Sequence, residues 1–532
     1  MTLSLASILA ENARRRPNGL ALVEGARRYT FAELWQQSLA EAAALVELGV
    51  RPGDRVALLA PNVAEFPRAY YAILAAGGVV VPVHLLLTAE EVAYVLRDSG
   101  ASLLIGHVST TAAATGAAES AGVPLVLTGL AQPTAVQSGS VQSGSEKPGS
   151  EKPGPGEPAW LEELAERVTP LTHFVARQPE DPAVVFYTSG TTGQPKGAIL
   201  SHLSLVMNAT VNAFDANHVQ PTDVALGALP LFHTFGQTVS MNSTWRGGAA
   251  LVLLPRFDPA AALELMVREG VNTFHGVPTM YVALLEAART AAELPRLRLC
   301  ISGGASLPVP VLERFDAVFG TTVWEGYGLS ETSPTAAVNQ PDFGTRAGTV
   351  GHSVWGVDVE IARPEVEGRI ELLPPGELGE IVVRGHNLFL GYLGRPEATA
   401  EALVDDWFRT GDLGTKDSAG FITIVDRKKD IVIRGGYNVY PREVEEALLR
   451  HPAVAEAAVI GLPDPRYGEE VCAVVVLTGD PARRPTAQEL IDWSKLHLAG
   501  HKYPRRVEFV DSYPLGPSHK VLKRELRARY TG

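Results

Sequence analysis

The amino-acid sequence predicts an α/β protein with a large N-terminal part and a small C-terminal part. Short apolar segments typical of buried strands alternate with longer segments typical of helices, which indicates layers of helices around parallel strands. A chain of 532 residues has room for about two to four domains. Late in the chain, a region rich in glycine and in β-type residues interrupts this alternation before it resumes.

The first part of the chain, from Leu3 to about Leu127, shows the alternation clearly. Leu3, Leu5, Ile8 and Leu9 predict an amphipathic first helix. The helical stretch FAELWQQSLAEAAALVELGV is followed by the strand RVALLAP, the helix AEFPRAYYAILAAG and the strand VVVPV. This order predicts strands buried between helices.

The segment Gln132–Pro158 has a different composition. It contains QSGSVQSGSEKPGSEKPGPGEP, in which short units repeat and Gly, Ser, Pro, Lys and Glu dominate. Such a segment buries too little apolar surface to offset its ordering entropy, so we expect a flexible surface insertion. A proline-rich partner motif is the alternative interpretation.

The α/β alternation returns from Pro182 to about Val323. The region from Gly344 to Val425 follows, with strands such as GEIVVRG and GFITIV, and a last α/β unit begins at REVEEALLRHP. The charged stretch DRKKD lies between these parts. The sequence therefore predicts a large domain at 1–425, a joining segment at 426–429 and a small domain at 430–532.

The charge and cysteine content limit the classes of function. A net charge of −13 argues against nucleic acid as the main partner, although a local site can still bind small anions. Two cysteines, Cys300 and Cys472, fit a reducing compartment without a disulfide framework. The N-terminal arginines follow the apolar residues, which is unlike a secretory signal, and the apolar runs are too short to span a bilayer. We expect a soluble cytoplasmic protein.

A glycine- and hydroxyl-rich loop carries the clearest chemical signal. The strand PAVVFY continues into TSGTTGQPKG, Thr188 to Gly197, and a helix is predicted to begin near Ser201. Glycines let backbone N–H groups turn toward an anion, and Lys196 adds a positive charge, so this pattern indicates a phosphate loop. It is not a Walker A loop, because Pro195-Lys196-Gly197 replaces Gly-Lys-Ser/Thr. Composition alone leaves a turn without function as the alternative.

The loop and six later motifs resemble the adenylate-forming superfamily, which includes acyl-CoA synthetases, aryl-CoA ligases, peptide-synthetase adenylation domains and beetle luciferases. The later motifs, in the family's order, are PLFHTFG, SGGASLP, WEGYGLSET, RTGDLG, DRKKDIVIRGGYNVYPREVE and PSHKVLKREL. The resemblance covers nearly the whole chain and is greatest to bacterial fatty-acid–CoA ligases. It implies a large α/β domain with a β-barrel subdomain and a small mobile α/β domain.

The resemblance implies a two-step reaction. A carboxylate attacks the α-phosphate of ATP, releasing pyrophosphate and leaving an acyl-adenylate, and a thiol such as coenzyme A then displaces AMP. The first step brings an anion to a polyanion, so the site must supply positive charge and hydrogen-bond donors. Thr188 and Glu331 resemble the pair that positions Mg²⁺. A solvated acid at a helix start is the alternative for Glu331.

The family's motifs assign roles to individual residues. Tyr327 resembles the aromatic residue that stacks on adenine, Asp412 the acid that accepts the ribose hydroxyls, and Arg427 the arginine that reaches ribose or phosphate. A core tyrosine and a turn aspartate are the structural alternatives. The full set implied for the nucleotide is Thr188, Ser189, Gly190, Thr191, Thr192, Gly193, Lys196, Gly303, Gly304, Ala305, Glu325, Gly326, Tyr327, Gly328, Thr332, Asp412 and Arg427.

The acid is expected to be uncharged apart from its carboxylate. PLFHTFGQTVSMN contains no acidic residue, whereas amino-acid adenylation domains place an aspartate in this stretch, so an α-amino acid is disfavoured. His233 resembles the aromatic residue that gates the route between acid and ATP, although a lone histidine there can also be packed core. The acyl pocket implied by the resemblance comprises His233, Gln237, Met241, Gly303, Gly326 and Pro334.

The small domain supplies the remaining implied roles. Lys429 matches the hinge, and the loop Arg434-Gly435-Gly436 matches the channel for coenzyme A. Lys520 matches the lysine that stabilises the α-phosphate charge during adenylation. The family's usual glycine before that lysine is replaced here by His519, which puts the freedom of the tail loop in doubt.

The sequence favours an AMP-forming carboxylate–CoA ligase acting on a fatty or other apolar or aryl acid. The alternative is an adenylate-forming tailoring enzyme of secondary metabolism that uses a carrier protein or an amine as acceptor, or another oxyacid such as nitrite. A degenerate homologue that only binds nucleotide is disfavoured by the intact loop and by Glu331, Asp412 and Lys520. Small-molecule acid, ATP and coenzyme A are the expected partners, without nucleic acid or a transmembrane segment, and a homodimer is left open.

Overall fold

The computed structural model describes residues 2–129, 158–188, 194–478, 484–515 and 521–531. The chain divides into two compact units. The first comprises Met1–Val206 with the short segments Leu231–His233 and Leu253–Pro255. The second comprises Met207–Pro230, Thr234–Val252 and Arg256–Gly532.

The first unit is a sheet covered by helices. Its helices are α1 (Ser7–Arg15), α2 (Phe31–Glu47), α3 (Glu65–Ala75), α4 (Ala89–Ser99), α5 (Thr111–Ala121) and α6 (Leu161–Glu166). Its strands are β1 (Leu20–Glu24), β2 (Arg27–Thr30), β3 (Arg55–Leu59), β4 (Val79–Pro82), β5 (Leu103–His107), β6 (Leu125–Thr128), β7 (Ala159–Trp160), β8 (Pro182–Thr188) and β9 (Lys196–Ser201). The main sheet has the order β9-β8-β4-β3-β5-β6-β7, parallel except for β9.

Local sequence explains where these helices start and how deeply they are buried. Thr30 and Thr88 form capping boxes with Glu33 and Glu91, so side chains satisfy N–H groups of the first turn of α2 and α4. Every residue of α3 is buried, which agrees with its mostly apolar and small side chains. The predicted helix–strand order of this region is therefore confirmed.

The second unit begins with a mostly parallel sheet. Its first helices are α7 (His202–Val211, which crosses the boundary between units), α8 (Ser243–Arg246), α9 (Pro259–Glu269), α10 (Pro278–Ala288) and α11 (Val309–Phe319). Its strands are β10 (Val224–Gly227), β11 (Ala250–Leu253), β12 (Thr273–Gly276), β13 (Leu299–Ser302), β14 (Val323–Gly328), β15 (Thr335–Val338) and β16 (His352–Ser353). Strands β10, β12, β13 and β14 run parallel, and β15 and β16 extend the sheet antiparallel.

Two π-helical segments lie in the same region, Asn212–Ala216 and Phe235–Asn242. The second one packs against β10, β12 and α8. In a π-helix each backbone N–H bonds the carbonyl oxygen five residues earlier, instead of four as in an α-helix, and such turns occur frequently at functional sites.

The glycine-rich region forms an antiparallel half-barrel. Its strands are β17 (Val357–Ala362), β18 (Gly379–Gly385), β20 (Leu403–Val404), β21 (Trp407–Lys416) and β22 (Ile422–Arg427). The same region of the sequence contains the short strand β19 (Gly391–Tyr392), which is not part of this sheet, and the helix α12 (Pro396–Ala402). The sheet has the order β17-β18-β21-β20, and β22 also pairs with β21. The predicted barrel-type subdomain is thus present.

The C-terminal part packs helices on a second mixed sheet. The helices are α13 (Pro441–Leu449), α14 (Ala487–His497) and α15 (Lys523–Tyr530), and the strands are β23 (Val432–Arg434), β24 (Tyr437–Val439), β25 (Val454–Asp464), β26 (Gly468–Leu477) and β27 (Arg506–Phe509). Its core is mainly valine, leucine and alanine from β25, β26, α13 and α14. The α/β fold class is therefore confirmed.

Two sequence-based expectations stay predictions. The insertion at Gln132–Pro158 lies, except for its last residue, outside the described residues. The joining segment 426–429 lies within the second compact unit, and its role as a hinge stays a prediction. Within the described part of the chain, no helix is long and apolar enough to cross a bilayer.

Candidate active site

The carboxyl ends of β13 and β14 bring together the backbone segments that were expected to line the nucleotide and acid. Gly303, Gly304 and Ala305 directly follow β13, and the stretch Glu325–Gly328 ends β14 beside them. The N–H of Gly303 donates to the carbonyl oxygen of Gly276 at 3.2 Å. Ligands in open α/β sheets bind at the carboxyl ends of strands, so this edge is a suitable place for a site.

Gly303 lies against an aromatic ring. A Cβ atom at this position would lie 3.1 Å from two atoms of the Phe235 ring, which is closer than ordinary van der Waals contact. A side chain at 303 would therefore displace the ring or occupy the space in front of it. The bare backbone predicted from the motif SGGASLP agrees with this crowding.

Asp412 is the centre of a polar cluster. Tyr327 donates its phenolic hydrogen to Asp412 Oδ2 at 2.7 Å, and the Arg427 Nε atom lies 2.9 Å from Asp412 Oδ1. Asp412 on β21 faces Arg427 on β22 in the antiparallel ladder. The sheet register therefore sets this ion pair, although the two residues are fifteen positions apart in the sequence.

The geometry of Asp412 leaves it able to bind a diol. Its side chain is almost completely buried, and each carboxylate oxygen has one protein donor. A carboxylate oxygen has two lone-pair sites, so each can accept one further hydroxyl hydrogen. Burial raises the pKa of Tyr327 well above its usual value, so Tyr327 remains a neutral donor to Asp412.

Residues outside the predicted set hold this cluster in place. The Asp412 N–H donates to Thr410 Oγ1 at 3.1 Å, and Thr410 donates to the carbonyl oxygen of Ile381 at 2.7 Å. Buried Glu380 accepts from the Gly411 N–H and pairs with Arg409 at 2.6 Å. RTGDLG was recognised in the sequence, but its partners on β18 are about thirty residues away and carry no local signal.

Glu331 lies in a short 3₁₀ turn, Ser330–Thr332, and is nearly fully buried. Its Oε1 atom accepts the phenolic hydrogen of Tyr392 at 2.8 Å, and its backbone carbonyl accepts the N–H of Phe389 at 2.9 Å. Burial raises the pKa of Glu331, while the Tyr392 hydroxyl opposes that rise. Tyr392 was missed in the sequence, because a single tyrosine in RGHNLFLGY gives no sign of its partner.

The donor set around Glu331 fits one type of metal. Within the described residues there is no group of three or more His, Cys, Asp or Glu that could hold an ion. Mg²⁺ does not require such a group, because it usually takes one or two protein oxygens and completes its shell with water and substrate phosphates. A single buried carboxylate such as Glu331 agrees with that mode of binding.

Glu325 has a structural contact that the sequence did not predict. Its Oε1 atom accepts from Ser306 Oγ and from the N–H of Leu307, both at 3.0 Å. These bonds fix the loop after β13 to the end of β14. Burial raises the pKa of Glu325. Glu325 thus positions the backbone that follows Gly303.

The turn after β14 is tightly packed. Thr332 donates its hydroxyl hydrogen to the carbonyl of Pro334 and accepts the N–H of Leu329 at 2.9 Å. A Cβ atom at Gly328 would lie 1.8 Å from the Pro334 carbonyl oxygen, so only glycine fits there. The backbone at Gly328 therefore lies directly against Pro334, on the other side of the 3₁₀ turn that carries Glu331.

The predicted phosphate loop belongs to the first unit. Thr188 ends β8, and Lys196 begins β9 directly opposite it in the ladder. Tyr94 donates to the carbonyl oxygen of Pro195 at 3.1 Å, which anchors the loop beside Lys196. Ser189, Gly190, Thr191, Thr192 and Gly193 lie outside the described residues, so the loop itself stays a prediction.

The predicted acyl-pocket residues are divided between the units. His233 is half-buried in the first unit, next to Phe232, whose ring lies 4.3 Å from the ring of His84. Gln237 and Met241 are fully buried in the π-helical segment Phe235–Asn242 of the second unit. Their roles stay predictions.

The C-terminal part presents the predicted coenzyme A loop as a tight hairpin. Gly435 and Gly436 both have positive φ values, 57° and 82°, in the two-residue turn between β23 and β24. Arg434 forms two hydrogen bonds with Glu470, at 2.5 and 3.0 Å, and lies over the Tyr467 ring. Lys429 is exposed, and Lys520 and His519 lie outside the described residues.

The chain matches the models of one enzyme family over most of its length. The model for the AMP-binding enzyme family matches residues 9–393, and that for its C-terminal domain matches residues 443–520. The chain therefore belongs to the AMP-binding enzyme family.

Similar proteins act on several acids. A feruloyl-CoA synthase from an Amycolatopsis species is 38% identical over 99% of this chain and 99% of its own. A long-chain-fatty-acid–CoA ligase from Bacillus subtilis is 36% identical over 98% of this chain and 94% of its own. The crystal structure of ATP-bound MatB from Rhodopseudomonas palustris has a TM-score of 0.87 and 33% identity, covering 100% and 99% of the two chains. The chain is thus an AMP-forming acyl- or aryl-CoA ligase, and the recognition made from the motifs is confirmed.

Replacing Asp412 with asparagine is expected to weaken ATP binding. The substitution keeps the shape of the side chain but removes the charge that a bound diol and Arg427 share. Hydrogen bonds to charged groups contribute about 1.5 to 3 kcal/mol, so the KM for ATP should rise about 10- to 100-fold. Steady-state kinetics with ATP and then with the acid as the varied substrate check this, and Asp358→Asn, on the exposed face of the half-barrel, is the matched control. A larger rise in the KM for the acid than for ATP would contradict the assignment.

The pH dependence of activity should report on the Glu331–Tyr392 pair. Because burial raises the pKa of Glu331, this carboxylate gains its proton at a higher pH than an exposed glutamate, and activity should fall as pH is lowered through that pKa. Tyr392→Phe removes a donor that favours the ionised form, so the acid limb of kcat/KM for ATP should move to higher pH. Tyr513→Phe removes another buried tyrosine hydroxyl, one that donates to the Val474 carbonyl, and should leave the limb in place. A shift to lower pH in Tyr392→Phe would be inconsistent with this pairing.

Proposed function

We propose that this chain converts an apolar or aryl carboxylic acid into its coenzyme A thioester through an acyl-adenylate, using ATP and Mg²⁺. The observation that carries the proposal is the Asp412–Tyr327–Arg427 cluster beside the bare backbone of Gly303. It combines a diol acceptor, an aromatic ring and a cation at one edge of a sheet, which are the groups that adenosine monophosphate requires.

The adenosine part of ATP would bind at this cluster. The two oxygens of Asp412 accept the ribose hydroxyls, and the ring of Tyr327, held by its bond to Asp412, stacks on adenine. Arg427 pairs its positive charge with Asp412 and would supply a donor toward the ribose or the α-phosphate. The backbone after Gly303, fixed by Glu325, leaves room for the planar base.

The acid would lie between the π-helical segment and the strand ends. The segment Phe235–Asn242 contains no ionisable side chain, and its residues other than Phe235 are fully buried. Burying an unpaired charge there is costly, so the pocket disfavours a second carboxylate or an ammonium on the substrate. The Phe235 ring against Gly303 offers a flat apolar wall, which suits an aryl ring or an alkyl chain.

Mg²⁺, when bound, would neutralise charge on the phosphates, and Glu331 with Thr188 would be its protein ligands. Glu331 is placed for this by its bond to Tyr392, which orients one oxygen and leaves the other for the ion. The loop from Thr188 to Lys196 would hold the leaving pyrophosphate through N–H groups and the Lys196 charge.

The proposed reaction has two steps, each of which forms one bond and breaks another. In the first step, a carboxylate oxygen of the acid attacks the α-phosphorus of ATP, and the bond to pyrophosphate breaks. In the second step, the thiol sulfur attacks the acyl carbon, the bond to AMP breaks, and the thiol proton is released. Lys520 would stabilise the α-phosphate charge in the first step only, and the Arg434-Gly435-Gly436 loop would admit the thiol in the second.

The change between the two steps would pivot at Lys429. This residue is exposed in the short link between β22 and β23, where a change of backbone dihedral costs little buried surface. Hinges are commonly a few such element-terminal residues. The Arg434–Glu470 pair keeps the Gly435-Gly436 turn rigid within the small domain, so the loop would move as a body.

Lys520→Ala should separate the two half-reactions. Removing a donor that acts on transition-state charge costs on the order of a hundredfold or more, so pyrophosphate exchange should fall by about that factor. Thioester formation from a premade acyl-adenylate and coenzyme A should remain close to that of the unchanged protein. Lys495→Ala, an exposed lysine paired with Asp492, is the control and should affect neither step. Equal losses in both half-reactions would rule out a role confined to adenylation.

A further inference from the structure

Strand β12 presents different residues to the two faces of its sheet. The ring of Phe274 packs on Tyr281 with centroids 5.2 Å apart, and a Cβ atom at Gly276 would also meet those two rings. Phe274 and Gly276 therefore face helix α10. Because side chains alternate along a strand, His275 points to the opposite face.

The opposite face is the one that the π-helical segment covers. Gly276 is level with Ser302 on β13, so Gly303, the next residue, faces the same way as His275. The ring of Phe235, the first residue of the π-helical segment, lies against Gly303 on that face. His275 and the predicted acyl wall thus share one side of the sheet.

His275 lies deeper than Gly303 along the strands. Gly303 is level with the residue after Gly276, which places His275 two residues further toward the amino ends. At about 3.3 Å per residue this is a depth of about 7 Å. A substrate whose carboxylate lies at the strand ends would reach His275 with its distal end.

Several buried polar groups of β12 and of the π-helical segment have no protein partner among the described residues. His275 is almost completely buried, and neither of its ring nitrogens has a hydrogen-bond partner in the described part of the chain. The same holds for the hydroxyl groups of Thr234, Thr238 and Ser240, which lie at the start of the π-helical segment and within it. By contrast, Ser243, just after that segment, donates its hydroxyl hydrogen back to the Val239 carbonyl.

Such a group of partnerless polar atoms is unusual for a protein core. Buried polar groups are almost always hydrogen-bonded, because a buried donor or acceptor without a partner costs desolvation free energy. Helical serine and threonine hydroxyls can satisfy themselves locally, as Ser243 does. Those of Thr234, Thr238 and Ser240 do not, which indicates that a bound molecule supplies their partners.

The state of His275 indicates what the molecule carries. Burial lowers its pKa to about 4, so the ring is neutral near pH 7 and has one donor and one acceptor nitrogen. A hydroxyl group, which is both donor and acceptor, matches a neutral imidazole. A carboxylate or an ammonium would match only one of its nitrogens and would bury a charge without a counter-ion.

We infer that the acid is an aryl carboxylic acid with a hydroxyl group at the distal end of its ring, and that His275 hydrogen-bonds that hydroxyl. This inference rests on the proposed function and adds the substrate class. The flat wall made by Phe235 and Gly303 would accept the ring, and the partnerless hydroxyl groups of Thr238 and Ser240 would be further hydrogen-bonding groups for a polar substituent. A plain alkyl chain would leave His275 without a partner.

The test compares acids that differ by one hydroxyl group. Thioester formation is measured with 4-hydroxycinnamate against cinnamate, 4-hydroxybenzoate against benzoate, and decanoate as an alkyl acid. The unchanged protein should prefer the hydroxylated member of at least one pair by tenfold or more in kcat/KM, because a site built to bond a hydroxyl rejects its analogue without one. His275→Leu should reduce that ratio about tenfold while kcat/KM for the unhydroxylated acid stays within about threefold.

Two further variants serve as rescue and control. His275→Gln keeps a donor and an acceptor and should retain most of the preference. Thr273→Val changes a residue on the same strand and the same face, whose hydroxyl already bonds Asn272, and should leave the ratio unchanged. If His275→Leu does not fold, as judged by its thermal melt, Thr238→Val replaces it and should also lower the ratio.

The outcomes distinguish a failure of the proposed role of His275 from a failure of the proposed ligase activity. An unchanged ratio in a folded His275→Leu, equal losses for both members of a pair, or a preference of the unchanged protein for decanoate would each overturn the inference while leaving ligase activity in place. Absence of thioester with every acid would overturn the proposed function as well.

Discussion

The ion pair between Asp412 and Arg427 is the interaction on which the rest of the site depends. It forms because β21 and β22 pair in a register that places the two residues opposite each other, and it brings a positive charge against a buried carboxylate. Tyr327 donates its phenolic hydrogen to the same carboxylate, which fixes the orientation of the tyrosine ring. Without the arginine, the buried Asp412 carboxylate would lose its counter-ion, and leaving a buried charge unpaired is costly.

Much of the fold could be predicted from the sequence because the elements are locally consistent. In strands such as VVVPV and helices such as FAELWQQSLAEAAALVELGV, the pattern of apolar residues by itself indicates the type of element. Thr30 marks a helix start through its capping box. The half-barrel was less evident, since its strands are short and interrupted by glycine turns. Its β-type composition was visible, but its closure is a matter of long-range pairing.

The site was predictable where motifs place residues side by side and not where the chain folds back. Tyr327 and Glu331 lie within one motif. Tyr392, which bonds Glu331 from sixty-one residues away, has no local signature. His275 was overlooked for a different reason: a histidine inside an apolar strand is indistinguishable from core until the face it points to is known. The π-helical turn at Phe235–Asn242 was equally hidden, since no sequence period distinguishes it from an α-helix.

Asp426, at the end of β22, links two parts of the chain. Asp426 accepts the N–H of its neighbour Arg427 at 2.8 Å on one oxygen and the N–H of Arg442, at the start of α13, at 2.9 Å on the other. The Asp426 carboxylate therefore bonds the backbone of Arg427, which pairs with Asp412, and the backbone of Arg442 in the first turn of α13. The Asp426 side chain thus ties the end of β22 to the start of α13, so a displacement of α13 from β22 would have to break the bond between Asp426 and the Arg442 N–H.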